Sequence, residues 1–270
     1  MIPALELKKV SYSYPGEFKA VEDVSFAVER GERVAIVGPN GAGKTTLLLL
    51  MAALKEPSAG NVLIDGEKIS PKSGSAVRHK IGILFQDPDD QIFMPTVEED
   101  IAFGPTNLNL DSNEIDRRIK EAIIATGLQG YEKRAPHHLS IGEKKRVAIA
   151  GVLSMRPKTM LLDEPTSGLD PKGKEDIMKI LDGVGETMVL VTHDVDLALD
   201  FSDRTILLKR RIIFDGSPLK LFENESLIES AGLVQPKVTK IVTILKEKGL
   251  LDSGDRPKSI DELRLLLRNR

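Results

Sequence analysis

The chain has 270 residues, 41% hydrophobic and 29% charged, so it can bury a sizeable core and is not expected to be disordered. Lys plus Arg (38) nearly balances Asp plus Glu (41), a net charge of −3 that gives no support for nucleic-acid binding through a strongly basic surface. There is no cysteine, which excludes disulfide frameworks, thiolate metal sites and cysteine catalysis, and the 4 histidines make a His-rich metal site a poor fit.

In chain order, Leu5–Tyr14 and Val21–Val28 alternate in polarity around the Pro15-Gly16 turn signal, which predicts two half-buried strands. Val34–Val37 is a continuous apolar run stopped by Gly38, and Thr45–Leu54 is rich in helix formers. Ile81–Phe85 is a second apolar run, stopped by Gln86, and Ile115–Ala125 places Ile115, Ile119, Ala122 and Ile123 on one helical face. Two more runs follow: Met160–Leu162 stops at Asp163, and Met188–Val191 stops at Thr192 and His193. Short continuous runs of this kind suit strands covered on both faces, and their alternation with helices predicts an α/β fold. Thr205–Leu208 and Ile212–Phe214 flank Lys209-Arg210-Arg211 as a hairpin, expected to join the antiparallel strands.

The character changes after about Glu225. Pro236–Gly249 reads as a helix with Val238, Ile241, Val242 and Leu245 on one stripe. Ser259 to Glu262 is a capping-box pattern opening a last helix with Ile260, Leu263 and Leu267 on one face. These helices need a surface to cover, in this chain or in another subunit. The longest greasy segments, Leu47–Leu54 and Val147–Met155, are about half the ~18–20 residues of a membrane span, and the first residues lack the order of a signal peptide. A soluble, cytoplasmic protein is the expectation.

Gly38-Pro39-Asn40-Gly41-Ala42-Gly43-Lys44-Thr45 fits the phosphate-binding loop pattern, and it lies between a buried strand and a helix. Glycines let backbone N–H groups wrap phosphates, and the helix N-terminus adds positive dipole. Lys44 is expected to reach the β- and γ-phosphates and Thr45 to bind Mg²⁺. Asp163 and Glu164 end an apolar strand, where Asp163 can hold Mg²⁺ and Glu164 can polarise an attacking water. Gln86 and His193 end two further strands. Ligands of open α/β sheets bind at the carboxyl ends of strands, so four such ends argue for one site. His137-His138 has no evident third ligand and does not read as a metal site.

With these residues in place, the chain resembles the ATP-binding subunit of ABC transporters along nearly its whole length. Leu139-Ser140-Ile141-Gly142-Glu143 resembles the family signature LSGGQ, with Ile141 and Glu143 as departures. Ser167 to Asp170 resembles the D-loop, Gln86 the Q-loop and His193 the switch histidine. The segments Gln86–Phe93, Thr96–Pro105 and Lys144–Gly151 are similar to cobalt-type (CbiO) ATPases of energy-coupling factor (ECF) importers.

This resemblance implies a P-loop NTPase fold: a RecA-like core sheet, an antiparallel β-subdomain and a helical signature subdomain at about 87–155. The ATPase domain would occupy 1–225, and a small C-terminal helical extension, 226–270, would serve as a dimer contact. It implies ATP and Mg²⁺ as ligands, with Gly38 to Thr46 and Thr45 again on phosphates and metal, and Thr46 included in the nucleotide contacts. Tyr14 would stack on adenine. Gln86 and Asp163 would join Thr45 at the metal, and Glu164, His193, Gln86 and Lys44 would carry catalysis. Ser140, Gly142 and Asp170 would meet the nucleotide across a head-to-tail dimer, built as a homodimer or with a paralogue. Other implied partners are a transmembrane scaffold and a substrate-binding membrane protein, with the ATPase peripheral on the cytoplasmic face of the membrane and no nucleic acid bound. The acidic segment Asp87–Asp100, with Ile92, Phe93 and Met94 among its carboxylates, is the expected membrane-subunit contact. The alternative, a non-transport ABC ATPase acting on nucleic acid or ribosomes, is disfavoured because the 54 positions from Gln86 to Ser140 leave no room for a long coiled coil.

Overall fold

The computed structural model describes residues 2–16, 19–70, 79–252 and 254–268. Its strands are β1 (Leu5–Ser13), β2 (Lys19–Val28), β3 (Arg33–Val37), β4 (Ala59–Ile64), β5 (Glu67–Ile69), β6 (Ile81–Leu84), β7 (Thr159–Asp163), β8 (Thr187–Thr192), β9 (Arg204–Lys209) and β10 (Arg211–Gly216). They form an antiparallel sheet of order β2-β1-β4-β5 and a second sheet of order β10-β9-β3-β8-β7-β6. In the second sheet every neighbouring pair is parallel except β9 with β10.

Burial explains the continuous apolar runs. Along β3, Val34 and Ile36 face the antiparallel sheet, where they pack with Leu5, Val24, Leu161 and Val189. Leu47, Leu48, Leu50 and Met51 of α1 (Lys44–Met51) fill the space between the two sheets. Ala35 and Val37 point to the opposite face, beneath Ala198, Leu199, Phe222 and Val238. A strand with both faces covered cannot alternate in polarity, so it reads as one apolar run.

The helical subdomain lies between β6 and β7. It contains α2 (Val97–Asn107), α3 (Ser112–Thr126) and α4 (Ile141–Ser154). Each helix start is set by its own sequence. Thr96 and Glu99 form a capping box for α2, Asp111 caps α3, and Ser140 with Glu143 forms a capping box for α4. Such a cap contributes about 1 kcal/mol. Gly127 ends α3 in the left-handed conformation at φ 64°. Val97, Ile101, Ile119, Ile123 and Val147 make a small core, while Ala148, Ile149 and Val152 of α4 pack on the sheet. α4 therefore belongs to both bodies.

Further helices are α5 (Pro171–Asp182), α6 (Val195–Phe201), α7 (Pro218–Phe222), α8 (Glu225–Ser230), α9 (Lys237–Glu247) and α10 (Ile260–Arg268). One strand-pairing expectation changes. The β9–β10 hairpin turns at Arg210 (φ 61°), but it extends the parallel sheet rather than the antiparallel one, because β9 pairs with β3. The C-terminal helices cover their own domain: Val238, Val242 and Leu263 pack against Ala35, Val37 and Leu207. Ile241, Ile260 and Leu267, expected on the packed stripes, are exposed, and Leu266 packs in place of Leu267. Residues 253, 269 and 270 of this segment lie outside the described residues. Among the described residues, no helix is long and apolar enough to cross a membrane.

Candidate active site

The loop after β3 is shaped by sterics at two glycines. A Cβ on Gly38 would sit 2.2 Å from the Leu208 carbonyl oxygen, and one on Gly43 would sit 2.2 Å from that of Ala20. Gly43 also has φ 95°, which side-chain-bearing residues rarely adopt. The chain thereby enters α1 with no side-chain cap and no acidic residue in the first turn. Its first N–H groups and the positive end of its dipole are left for an anion.

Lys44 is 9% exposed, and its ammonium donates to the carbonyls of Gly38 (2.8 Å) and Pro39 (3.1 Å). Burial pulls its pKa below the ordinary lysine value, against the opposing pull of Glu164 and Asp163. These two carboxylates lie at the end of β7. Burial pushes Asp163 above the usual carboxylate range, opposed by a hydrogen bond with Thr45 and by the charges of Lys44 and Lys145.

Glu164 takes a left-handed backbone, φ 45°, stabilised by its N–H donating to Val191 O at 2.9 Å. Its Oε1 accepts the backbone N–H of His193 at 2.8 Å and lies 2.6 Å from His193 Nδ1. The Thr192 hydroxyl donates to its Oε2 at 3.0 Å. The Glu164 side chain is 9% exposed and the His193 side chain 63% exposed, so the imidazole sits at the open side of the site with Nδ1 toward the carboxylate.

Asn40 to Thr46, Gln86, Asp163, Glu164 and His193 line one cleft of about 360 Å³. Gly38 and Pro39 stand behind it as acceptors for Lys44. Tyr14 borders α1, its hydroxyl 3.1 Å from Thr46 Oγ1 and its ring 5.1 Å from the Lys55 ammonium. Ser140, Gly142 and Asp170 are not among the cleft's lining residues. Ser140 caps α4, and its hydroxyl donates to Glu143 Oε2 at 2.7 Å. Asp170 caps α5 by accepting the Gly173 N–H at 2.7 Å.

A divalent cation fits this donor set, on one observation. Asp163 Oδ1 is buried and, among the described residues, has no hydrogen-bond partner, and a buried anionic oxygen of that kind calls for a cation. No cluster of three or more His, Cys, Asp or Glu stands as a metal cage among the described residues, His137 and His138 included.

In the acidic segment after Gln86 most carboxylates have partners within the chain. Asp87 caps the short 3₁₀ turn Pro88–Asp90, and Asp89 pairs with Lys144 at 2.7 Å. Glu98 pairs with Lys133, Glu99 belongs to a capping box, and Asp100 accepts the N–H groups of Phe93 and Met94. Most of these carboxylates serve local structure. The groove beside them, about 430 Å³, is lined by Ile92, Phe93, Phe103, Gly104, Val147 and Met155.

Sequence reading missed Thr192 and Lys145. Lys145 stands at helical spacing from Ala148, Ile149 and Val152, so the stripe itself marks it as buried.

A phosphate loop opening a helix, with an Asp-Glu pair and a histidine at neighbouring strand ends, defines a P-loop nucleotide hydrolase. The family model described as ABC transporter matches residues 21–167. The energy-coupling factor transporter ATP-binding protein EcfA of Methanothermobacter thermautotrophicus is 47% identical over 251 residues, 91% of this chain and 81% of that protein. EcfA of Methanococcus maripaludis is 45% identical over 253 residues, 92% and 91% of the two chains. The structure of cbiO1 from Clostridium perfringens, described as part of the ABC transporter complex cbiONQ, superposes with a TM-score of 0.76 at 37% identity, covering 90% of this chain and all of that one. The ATP-binding cassette MJ0796, a dimer in a post-hydrolysis state with ADP and Pi, gives 0.70 at 32% identity, covering 79% and 98%. The chain belongs to the ATP-binding subunits of the ABC transporter family, and it is an ATPase.

Proposed function

We propose that this chain is the ATP-hydrolysing subunit of an ECF-type importer of a metal ion or a vitamin. It would act as a peripheral protein on the cytoplasmic face of the membrane, bound to a transmembrane scaffold that works with a separate substrate-binding membrane protein. The observation that carries the ATPase mechanism is the single cleft joining residues 40–46 to Gln86, Asp163, Glu164 and His193. The likeness to EcfA and to cbiO1 supports the transport role.

In this reading the loop N–H groups and Lys44 bind the phosphates, and Tyr14 stacks on adenine. Thr45, Asp163 and Gln86 would hold Mg²⁺, which would neutralise charge on the phosphate oxygens. Glu164 takes the proton of the attacking water, and His193, through Nδ1 and its backbone N–H, aims that carboxylate. Ser140 and Gly142 act in trans on the γ-phosphate of a second subunit, which explains why they stand outside the cleft of their own chain. Asp170 lies beside that contact. Loss of the γ-phosphate removes the contacts that favour the closed dimer, so hydrolysis reopens it. The apolar groove around Phe93 and Phe103 receives a helix of the scaffold.

The test is affinity capture from membranes followed by mass spectrometry. The expected result is a multi-span scaffold, a small substrate-binding membrane protein and either this chain alone or a paralogue. Recovery with ribosomes or nucleic acid, and with no membrane protein, overturns the transport reading.

A further inference from the structure

Lys145 is 2% exposed, making it one of the largest fully buried side chains. Burying an ammonium is costly unless each donor finds an acceptor. Among the described residues, Lys145 makes no ion pair. Its Nζ donates instead to two backbone carbonyls, those of Gln86 at 3.0 Å and Glu164 at 3.2 Å. The negative charges of Glu164, Asp87 and Asp163 offset part of its desolvation.

Both acceptors are informative. Gln86 O lies two residues past the end of β6, at the entrance to the segment that borders the apolar groove. Glu164 O belongs to the one residue of the Asp-Glu pair with a positive φ. A left-handed backbone is unfavourable at a glutamate and persists only where its surroundings over-determine it. Lys145 supplies one such restraint, the N–H to Val191 O another and the three bonds to the carboxylate the rest. Lys145 also lies in the second turn of α4, the helix capped by Ser140. One ammonium thus ties three parts together: the start of the groove segment, the backbone of the acidic pair and the helix that presents Ser140.

We propose that Lys145 is a positioning residue for hydrolysis: it holds the Glu164 backbone in its left-handed turn and locks that turn to the Gln86 segment, so that movement at the groove is felt at the carboxylate. This inference rests on the reading of Glu164 as the base.

The experiment uses the full chain with Mg²⁺ and ATP, measuring kcat and ATP affinity for Lys145→Met and Lys145→Gln. Methionine keeps the length and removes the donor, while glutamine keeps a donor at shorter reach. For K145M, kcat should fall at least about tenfold, since a ~1 Å misplacement of a reacting group costs on the order of 10²-fold. ATP affinity should stay within about twofold, the signature of an effect on the chemical step. K145Q should give a kcat between those of K145M and wild type. An unchanged kcat in K145M, a joint loss of kcat and affinity, or equal activity of the two variants overturns the proposal. If K145M does not fold, K145Q decides against wild type: a fall in kcat with affinity kept supports it, and any other pattern overturns it. Glu164→Gln runs alongside. An active E164Q removes the base assignment itself, whereas an inactive E164Q beside a fully active K145M removes only the role of Lys145.

Discussion

Glu164 Oε1 lies 2.6 Å from Nδ1 of His193 and accepts the His193 backbone N–H at 2.8 Å, so one oxygen is held twice by one residue. The other oxygen accepts the Thr192 hydroxyl. Glu164→Gln should therefore keep the fold and ATP binding while turnover drops by about 10²-fold or more, the usual contribution of a positioned general base. Size-exclusion chromatography with ATP and Mg²⁺ should then show a trapped dimer. His193→Ala should lower kcat with little change in affinity, because it removes an orienting group and no loop contact to phosphate.

Removal of Mg²⁺ with a chelator should abolish hydrolysis. Asp163→Asn should sharply lower hydrolysis at ordinary Mg²⁺ concentrations, because its buried Oδ1, which has no hydrogen-bond partner among the described residues, is the oxygen proposed to meet the cation. Titration of Mg²⁺ against activity checks both. Wild-type turnover of D163N with an unchanged Mg²⁺ dependence would count against Asp163 as a ligand.

Glu143 accepts from Ser140 N (2.8 Å), Ser140 Oγ (2.7 Å) and the Tyr131 hydroxyl (2.8 Å), which holds its carboxyl below the usual range. The Ser140 hydroxyl has one proton, and here it is committed to a carboxylate. Glu143→Gln preserves the capping box and should change stability by less than ~0.5 kcal/mol. It should promote ATP-driven dimerisation, since it takes a negative charge away from the proposed γ-phosphate contact. Weaker dimerisation in E143Q, measured by light scattering, contradicts the trans reading of Ser140.

Phe93 is 63% exposed and meets Phe103 edge-to-face at a centroid distance of 4.8 Å. A large apolar side chain exposed beside a groove marks a contact surface. Phe93→Asp should leave the melting temperature nearly unchanged and abolish co-purification with the membrane scaffold. Asp89→Lys is a less clean test, because Asp89 already pairs with Lys144.

Burial raises the Asp100 carboxyl above its unfolded value of 3.8, against the N–H groups of Phe93 and Met94, which lower it. A raised carboxyl binds more protons when folded, so its contribution to stability weakens as pH rises through the window above 3.8. Asp100→Asn keeps an acceptor for the Phe93–Met94 turn and removes the charge. Thermal melts should show D100N slightly more stable at pH 7, by less than ~1 kcal/mol for a half-buried site. Its stability should also change less than wild type between pH 4 and 7.

The α/β class, the glycine loop and the four strand ends that meet in the cleft were legible in the sequence because each depends on local chemistry. Glycines at 38 and 43 sit where backbone crowding forbids a Cβ, and the apolar runs before Asp163 and His193 are strands without a wet face. Ser140 was equally readable as a helix start, since a capping box is a spacing rule. Tertiary structure decided the rest. The β9–β10 hairpin looks the same in sequence whichever sheet it joins, and only its pairing with β3 assigns it. The acidic segment could be read as a charged groove until its carboxylates were found capping turns and pairing with Lys144 and Lys133, residues distant in the chain. Lys145 is the sharpest case. Its periodicity marks it as buried, but a buried lysine is explained only by its acceptors, and those carbonyls come from 59 residues before it and 19 after it. Contacts over that range depend on how strands and helices pack, and no local pattern encodes them.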